Sequence, residues 1–99
     1  MHRAFKLLPT MHFMRNYKSI VKRNPRVSKR IKKTLNQMRI NPFYKGLKTH
    51  KVDAHQLGIH YSSRVSGDIR IIWNFQEDDN LVIILLLIGG HSGKRKVYC

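Results

Sequence analysis

The sequence predicts an α+β domain. A short N-terminal strand and a helical hairpin pack on one face of a mostly antiparallel sheet, in the order β-α-α-β-β-β. Three observations carry this. Apolar residues recur at three- and four-residue spacing between residues 11 and 38, they alternate over residues 68–76, and they run unbroken as LVIILLLI over residues 81–88. A period of three to four marks one face of a helix, and a period of two marks one face of a strand. Helices gathered on one face of an antiparallel sheet define the α+β arrangement.

The elements follow in order. Residues 3–8 (RAFKLL) read as a short strand. From Met11 to about Lys22, the residues Met14, Tyr17, Ile20 and Val21 share a helical face. Thr10 stands before them, where a hydroxyl accepts from the unpaired N–H groups of a first turn. Asn24-Pro25 interrupts the chain, and proline is tolerated in a first helical turn. Val27, Ile31, Leu35 and Met38 then line a second helix, with Lys and Arg on its other side. Asn41-Pro42 ends it. Residues 43–57, rich in Lys and His, read as loop. Residues 59–65 (IHYSSRV) form a strand. Residues 68–76 form another, with Ile69, Ile71, Trp73 and Phe75 on one face and Trp73 in the core. The unbroken run 81–88 suits an interior strand covered on both sides. Glu77-Asp78-Asp79-Asn80 between them reads as a four-residue hairpin loop. A short last strand is placed near residues 96–98.

The 99 residues make a single domain, 1–99, large enough for one modest core. At 41% hydrophobic, the chain is not disordered by composition. Its one cysteine is Cys99. That excludes an intramolecular disulfide and a thiolate zinc site, and it fits a reducing, cytoplasmic compartment. Leu7-Leu8-Pro9-Thr10 is too short for the apolar core of a secretory signal. The eight-residue run 81–88 is far below the about twenty residues of a membrane-spanning helix.

Charge is distributed unevenly. The net charge is +15, and fifteen of the twenty Lys and Arg lie in residues 1–51, which contain no Asp or Glu. Residues 52–99 hold five basic and five acidic residues. A one-sided basic field attracts polyanions: nucleic acid, an anionic membrane or an acidic partner protein. No P-loop, dinucleotide-binding glycine pattern or nucleophile elbow is present. Glu77, Asp78 and Asp79 are the one acidic cluster and read as turn residues, so two-metal nuclease chemistry is disfavoured and no metal or other cofactor is expected.

Parity places candidate chemistry on the sheet. With the odd residues of 68–76 facing the core, Arg70 and Asn74 face the other way. A three-residue loop at Val65-Ser66-Gly67 would set Arg64 opposite Asp68 and Ser62 opposite Arg70, gathering His60, Ser62, Arg64, Arg70 and Asn74 on one open face. The four-residue loop at 77–80 would pair Phe75 with Val82 and Trp73 with Ile84, bringing His91 toward Arg64. RNA cleavage without a metal needs a base for the 2′-hydroxyl, cations for the phosphate and an acid for the leaving oxygen. Histidine titrates near neutrality, and arginine donates to phosphate in pairs. His50, Arg64, Arg70 and His91 are the candidate catalytic residues. Lys48, Lys51, His60, Lys94, Arg95, Lys96 and Tyr98 are the candidate RNA contacts, with Tyr98 suited to stacking on a base. Each has a plainer alternative. Arg64 and Arg70 can pair across strands with Asp68, and His60 can be a polar surface residue. His2, His12 and His55 read as structural or merely exposed.

The segments Asn41-Pro42-Phe43-Tyr44 and Leu47-Lys48-Thr49-His50-Lys51 resemble the RelE/YafQ branch of the RelE/ParE toxin superfamily. Residues 63–73 (SRVSGDIRIIW) resemble its central hairpin, and Ile88-Gly89-Gly90-His91 with Val97-Tyr98 resembles its C-terminal signature. The resemblance implies a β-α-α-β-β-β fold and a toxin held inactive by a cognate antitoxin. It also implies cleavage of mRNA in the ribosomal A site, leaving a 2′,3′-cyclic phosphate. By position, His50 matches a YafQ-type active-site histidine, and Arg64 matches a RelE-type phosphate-contacting arginine. Asp68 matches an active-site aspartate of some members, His91 the C-terminal catalytic histidine, and Tyr98 the terminal aromatic. This sequence departs from many relatives at Ser92-Gly93-Lys94-Arg95-Lys96, where the tail is longer and basic rather than acidic.

The expected function is therefore a type II toxin: a ribosome-dependent, metal-independent mRNA endoribonuclease. Its partners would be mRNA, ribosomal RNA and an antitoxin, with no membrane. Two other classes fit the same composition: a ParE-like toxin that poisons gyrase without catalysis, and a basic RNA-binding module.

Overall fold

A computed structural model describes residues 4–54 and 58–90. Strand β1 (Lys6–Pro9) leads into helix α1 (Met11–Arg23) and helix α2 (Val27–Ile40). A short 3-10 turn (Lys45–Leu47) precedes four strands: β2 (His50–Ala54), β3 (Gly58–Arg64), β4 (Ile69–Gln76) and β5 (Asp79–Gly90). The sheet order is β1-β5-β4-β3-β2, with β1 parallel to β5 and every other pair antiparallel. The expected α+β class and helical hairpin are present. Residues 43–57 are not all loop, because residues 50–54 form the edge strand β2. The strand expected near residues 96–98 lies outside the described residues.

Thr10 fixes where the helices begin. Its hydroxyl accepts from the Phe13 N–H at 3.1 Å and donates to the Leu85 carbonyl at 2.9 Å, tying the start of α1 to β5. This is the cap that the sequence suggests, used at once for tertiary anchoring. The buried stripe of α1 differs from the expected one. Phe13 is 2% exposed, whereas Met14 is 37% exposed and sits at the rim. Phe13, Tyr17, Ile20 and Val21 together keep the helical spacing that faces a core. On α2, Val27, Ile31, Thr34 and Met38 are buried, with Leu35 partly so. Lys22, Arg23 and Arg39 lie in last turns, where cations offset the helix dipole.

The helices cover one sheet face. Phe13, Ile31 and Met38 pack with Ile71, Trp73, Ile83, Leu85 and Ile88, while Ile72 points to the other face beside Val52, Leu86 and Leu87. A bulge makes this division. Ile72 lies opposite Leu87 and Trp73 opposite Leu85, so Leu86 has no partner and joins Leu87 on the far face.

Both expected hairpin registers are corrected. Gln76 pairs with Asp79, leaving a two-residue turn at Glu77-Asp78 in place of the four-residue loop. A register shift between Gln76 and Phe75 then sets Phe75 opposite Ile83 rather than Val82, and Trp73 opposite Leu85 rather than Ile84. Between β3 and β4 the chain loops over residues 65–69, with Ile69 both closing the loop and opening β4. Arg64 faces Arg70 and Ser62 faces Ile72, so neither Asp68 nor Arg70 takes its expected partner. The Val65 and Ser66 N–H groups both donate to the Ile69 carbonyl, and the Ser66 hydroxyl accepts from the Asp68 and Ile69 N–H groups. A wider loop closed by a serine replaces the tight one. The slip is two residues, which leaves every side chain on its original face.

Candidate active site

His50 opens β2 directly opposite Ser62 of β3. Arg64 lies two residues further along β3, opposite Arg70 of β4. Alternate residues of a strand share a face. His50, His60, Ser62, Arg64, Arg70 and Asn74 thus occupy the face turned away from the helices, as the parity of the sequence requires. Ser62 and Ile72 are fully buried within that face, and His50 stands exposed at its edge strand.

The protonation pattern of His50 follows from its backbone partner. Its Nδ1 lies 2.9 Å from the Lys48 carbonyl oxygen. A carbonyl only accepts, so Nδ1 carries the proton and the neutral ring presents Nε2 as a lone pair. Lys48 has φ 50° and ψ 40°, the left-handed conformation, and no other non-glycine described residue has a positive φ. Lysine adopts that conformation at some strain. The turn directs its carbonyl back to the imidazole. Lys48 thus orients His50 through its backbone carbonyl.

A directional hydrogen-bond chain holds the segment that carries His50. Trp73 Nε1 donates to Ser63 Oγ at 2.8 Å, Ser63 Oγ lies 2.6 Å from Thr49 Oγ1, and Thr49 Oγ1 donates to the Pro42 carbonyl at 2.7 Å. An indole only donates and a carbonyl only accepts, so Ser63 must donate to Thr49. Trp73 and Ser63 are fully buried. Phe43 adds an aromatic anchor, its ring 5.4 Å from Tyr61 and 5.9 Å from Trp73. The lysine-rich segment before β2 is consequently pinned to the helix side of the sheet.

His60 has the opposite tautomer. Asn74 Oδ1 accepts from the Phe75 N–H at 2.8 Å, which orients its amide, and Asn74 Nδ2 then donates to His60 Nδ1 at 2.8 Å. His60 Nδ1 is an acceptor in this arrangement, so His60 is braced where His50 presents a base.

The guanidinium groups cluster at the 65–69 loop. Arg64 Nε donates to the Ser66 carbonyl at 3.2 Å, and Arg70 Nη1 donates to the same oxygen at 2.6 Å and to Ile69 at 3.3 Å. Arg30 of α2 reaches across and donates from Nε to the Val65 carbonyl at 3.3 Å. These bonds fix the side chains before any ligand arrives. Among the described residues, Arg30 and Arg64 each commit their Nε donor to a loop carbonyl, a use that does not occupy the terminal nitrogens of the fork.

Among the candidates, the structure brings together His50, Arg64, Arg70 and His60. Lys51 pairs with Tyr61 and so takes the opposite parity to His50. His91, Lys94, Arg95, Lys96 and Tyr98 lie outside the described residues. Sequence reasoning missed Ser63, Thr49 and Arg30. A buried tryptophan calls for an acceptor, and that signal leads to Ser63 once the register is known. Nothing in the sequence separates Arg30 from Lys29, Lys32 and Lys33 beside it. Among the described residues no three His, Cys, Asp or Glu side chains gather as a metal site, and no helix is long and apolar enough to cross a membrane.

No family model matches the chain, and no curated protein matches it by sequence. Solved structures do match in three dimensions. The RelBE2 toxin–antitoxin complex from Mycobacterium tuberculosis superposes with a TM-score of 0.66 at 16% identity, over 89% of this chain and 92% of that one. A YoeB/ParE toxin from Agrobacterium tumefaciens gives 0.69 at 16% identity, over 88% and 99%. The YoeB dimer from Staphylococcus aureus gives 0.68 at 19% identity, over 90% and 99%. The chain has the RelE/ParE toxin fold. In this example of the RelE/ParE fold the sheet face turned away from the helices carries His50, Arg64 and Arg70, while the helices bury the other face.

Proposed function

We propose that this protein is the toxin of a type II toxin–antitoxin system and that it cleaves mRNA on the ribosome. The observation that carries the reading is His50 presenting a lone pair at Nε2 on the sheet face that also holds the Arg64–Arg70 pair. A fold shared with toxins supports the toxin class.

In the proposed reaction His50 Nε2 removes the 2′-hydroxyl proton. The 2′-oxygen attacks the adjacent phosphorus, and the bond to the 5′-oxygen breaks. The products are a 2′,3′-cyclic phosphate and a 5′-hydroxyl. Arg64 and Arg70 stabilise the charge that builds on the phosphoryl oxygens. His91 is assigned the proton for the leaving oxygen, on the strength of the resemblance noted above. The basic helices would dock on ribosomal RNA, and a cognate antitoxin would cover the site in the cytoplasm.

The test is cleavage of a programmed message by purified ribosomes, mapped by primer extension, with the parent protein and His50→Ala. Defined cuts that disappear with His50→Ala are expected. A gyrase supercoiling assay run alongside separates this from the non-enzymatic ParE alternative: inhibition of gyrase with an intact message would overturn the proposal. Salt-sensitive RNA binding with neither effect would reduce the protein to an RNA-binding module.

A further inference from the structure

A cleft of about 310 Å³ opens between α2 and the 3-10 turn, around the corner from the candidate active site. Arg30, Lys33 and Gln37 line its α2 side, Tyr44 and Gly46 form its opposite wall, and Arg64 closes the end nearest the sheet. Its size is near the lower end of about 300–1,000 Å³ for small-molecule sites. No acidic side chain is among its described lining residues. Arg64 thus belongs to both places, its strand position on the face turned away from the helices and its side chain at the mouth of the cleft.

The wall at Tyr44 is a consequence of Gly46. A Cβ at residue 46 would lie 2.8 Å from Tyr44 Cε2, a distance that real Cβ contacts do not show. The glycine lets the phenol lie close against the backbone, half exposed, beside the cationic wall. A cluster of cations next to an accessible aromatic ring suits a phosphate joined to a planar base. Bases stack on such rings regardless of sequence, and Arg and Lys take the phosphate.

We propose that this cleft is a nucleotide subsite, which holds the RNA nucleotide adjoining the scissile phosphate. The proposal rests on the RNA-cleaving reading above for the identity of its ligand. The base stacks on Tyr44, Arg30 and Lys33 hold the phosphate, and Arg64 joins this subsite to the reacting centre. Gln37, half-buried on the cleft wall, has both a donor and an acceptor for a base edge.

The test titrates AMP and inorganic phosphate separately into the full-length protein, by calorimetry and by amide chemical shifts. AMP should bind about tenfold or more tighter than phosphate, the scale of one base–aromatic stack. The shifts should centre on residues 30–37 and 44–47. Tyr44→Leu and Gly46→Ala should each bring AMP down to the affinity of phosphate without weakening phosphate itself. Gly46→Ala should do so in a folded protein, because the exposed Tyr44 ring can swing aside. Lys33→Gln should weaken both ligands. Equal binding of AMP and phosphate by the parent, or full AMP affinity in Tyr44→Leu, would overturn the subsite. His50→Ala should bind AMP as the parent does. Loss of cleavage with this binding intact therefore bears on the catalytic reading, and loss of AMP preference with cleavage intact bears on the subsite alone.

Discussion

Arg64 and Arg70 face each other across β3 and β4, and both donate to the carbonyl oxygen of Ser66. Like charges directly opposite in a sheet are unfavourable, at roughly 0.2–1 kcal/mol. The loop carbonyls offset part of that repulsion and hold the pair in place. Such a pair serves anion binding better than stability. Arg64→Gln and Arg70→Gln should each leave stability unchanged or raise it by up to about 1 kcal/mol. Cleavage should fall by about a hundredfold or more, as when one donor to a charged transition state is removed. Urea unfolding and the ribosome cleavage assay measure the two effects. A clear loss of stability in both variants would mean that the pair is structural.

The two sheet histidines should behave differently. His50→Ala should reduce cleavage by about 10²–10⁴, the range of one acid–base group, with an unchanged unfolding midpoint because the ring is exposed. His60→Ala breaks the bond from Asn74 and should lower stability by about 1 kcal/mol. Its effect on cleavage should be the smaller of the two. A larger cleavage loss from His60→Ala than from His50→Ala would reverse the assignment of the base.

Ser63→Ala tests the chain that pins the His50 segment. It leaves the Trp73 N–H buried without its acceptor, and Thr49 without its donor. A loss of about 1–3 kcal/mol is expected. Amides of residues 45–49 should also exchange faster in native-state hydrogen exchange. A loss under about 0.5 kcal/mol, within the range of an ordinary surface change, would count against the chain.

Phe13→Ala should be far more damaging than its neighbour. A buried phenylalanine truncated to alanine costs about 3–5 kcal/mol, a large part of a small domain's total stability. Met14→Ala, at the exposed rim of α1, should change stability by about 0.5 kcal/mol or less. Thermal unfolding of both variants checks the ranking.

The sequence makes some of this legible for identifiable reasons. The stripes Tyr17-Ile20-Val21 and Val27-Ile31-Met38 are periodic, so both helices and their buried faces are readable, apart from the choice between Phe13 and Met14. Strand β2 is not readable, because HKVDA is short and has only Val52 and Ala54 as apolar residues, sharing a parity with His50 while Lys51 and Asp53 take the other. An edge strand tolerates charges that an interior strand excludes. The shift between Phe75 and Gln76, the bulge at Leu86 and the loop at 65–69 move the registers, and none of them has a local signature. The site residues survive these errors because a two-residue slip preserves parity, which is why Arg64, Arg70 and His60 share a face in either register. The tautomer of His50 depends on the φ of Lys48, and the role of Arg30 depends on where α2 crosses the 65–69 loop. Both are properties of the assembled fold.

The parallel pairing of β1 with β5 has a consequence for how the molecule comes into being. Lys6 registers with Val82 and Pro9 with Leu85, and Thr10 bonds to Leu85 across 75 positions of chain. Contacts so distant in sequence close slowly, because the intervening chain must be ordered first. The helical hairpin is local and can form early, but the strand that precedes it has no partner until β5 is synthesised. The N-terminal edge of the sheet therefore cannot close until β5 has emerged, and the strand made first waits for the described strand that is made last.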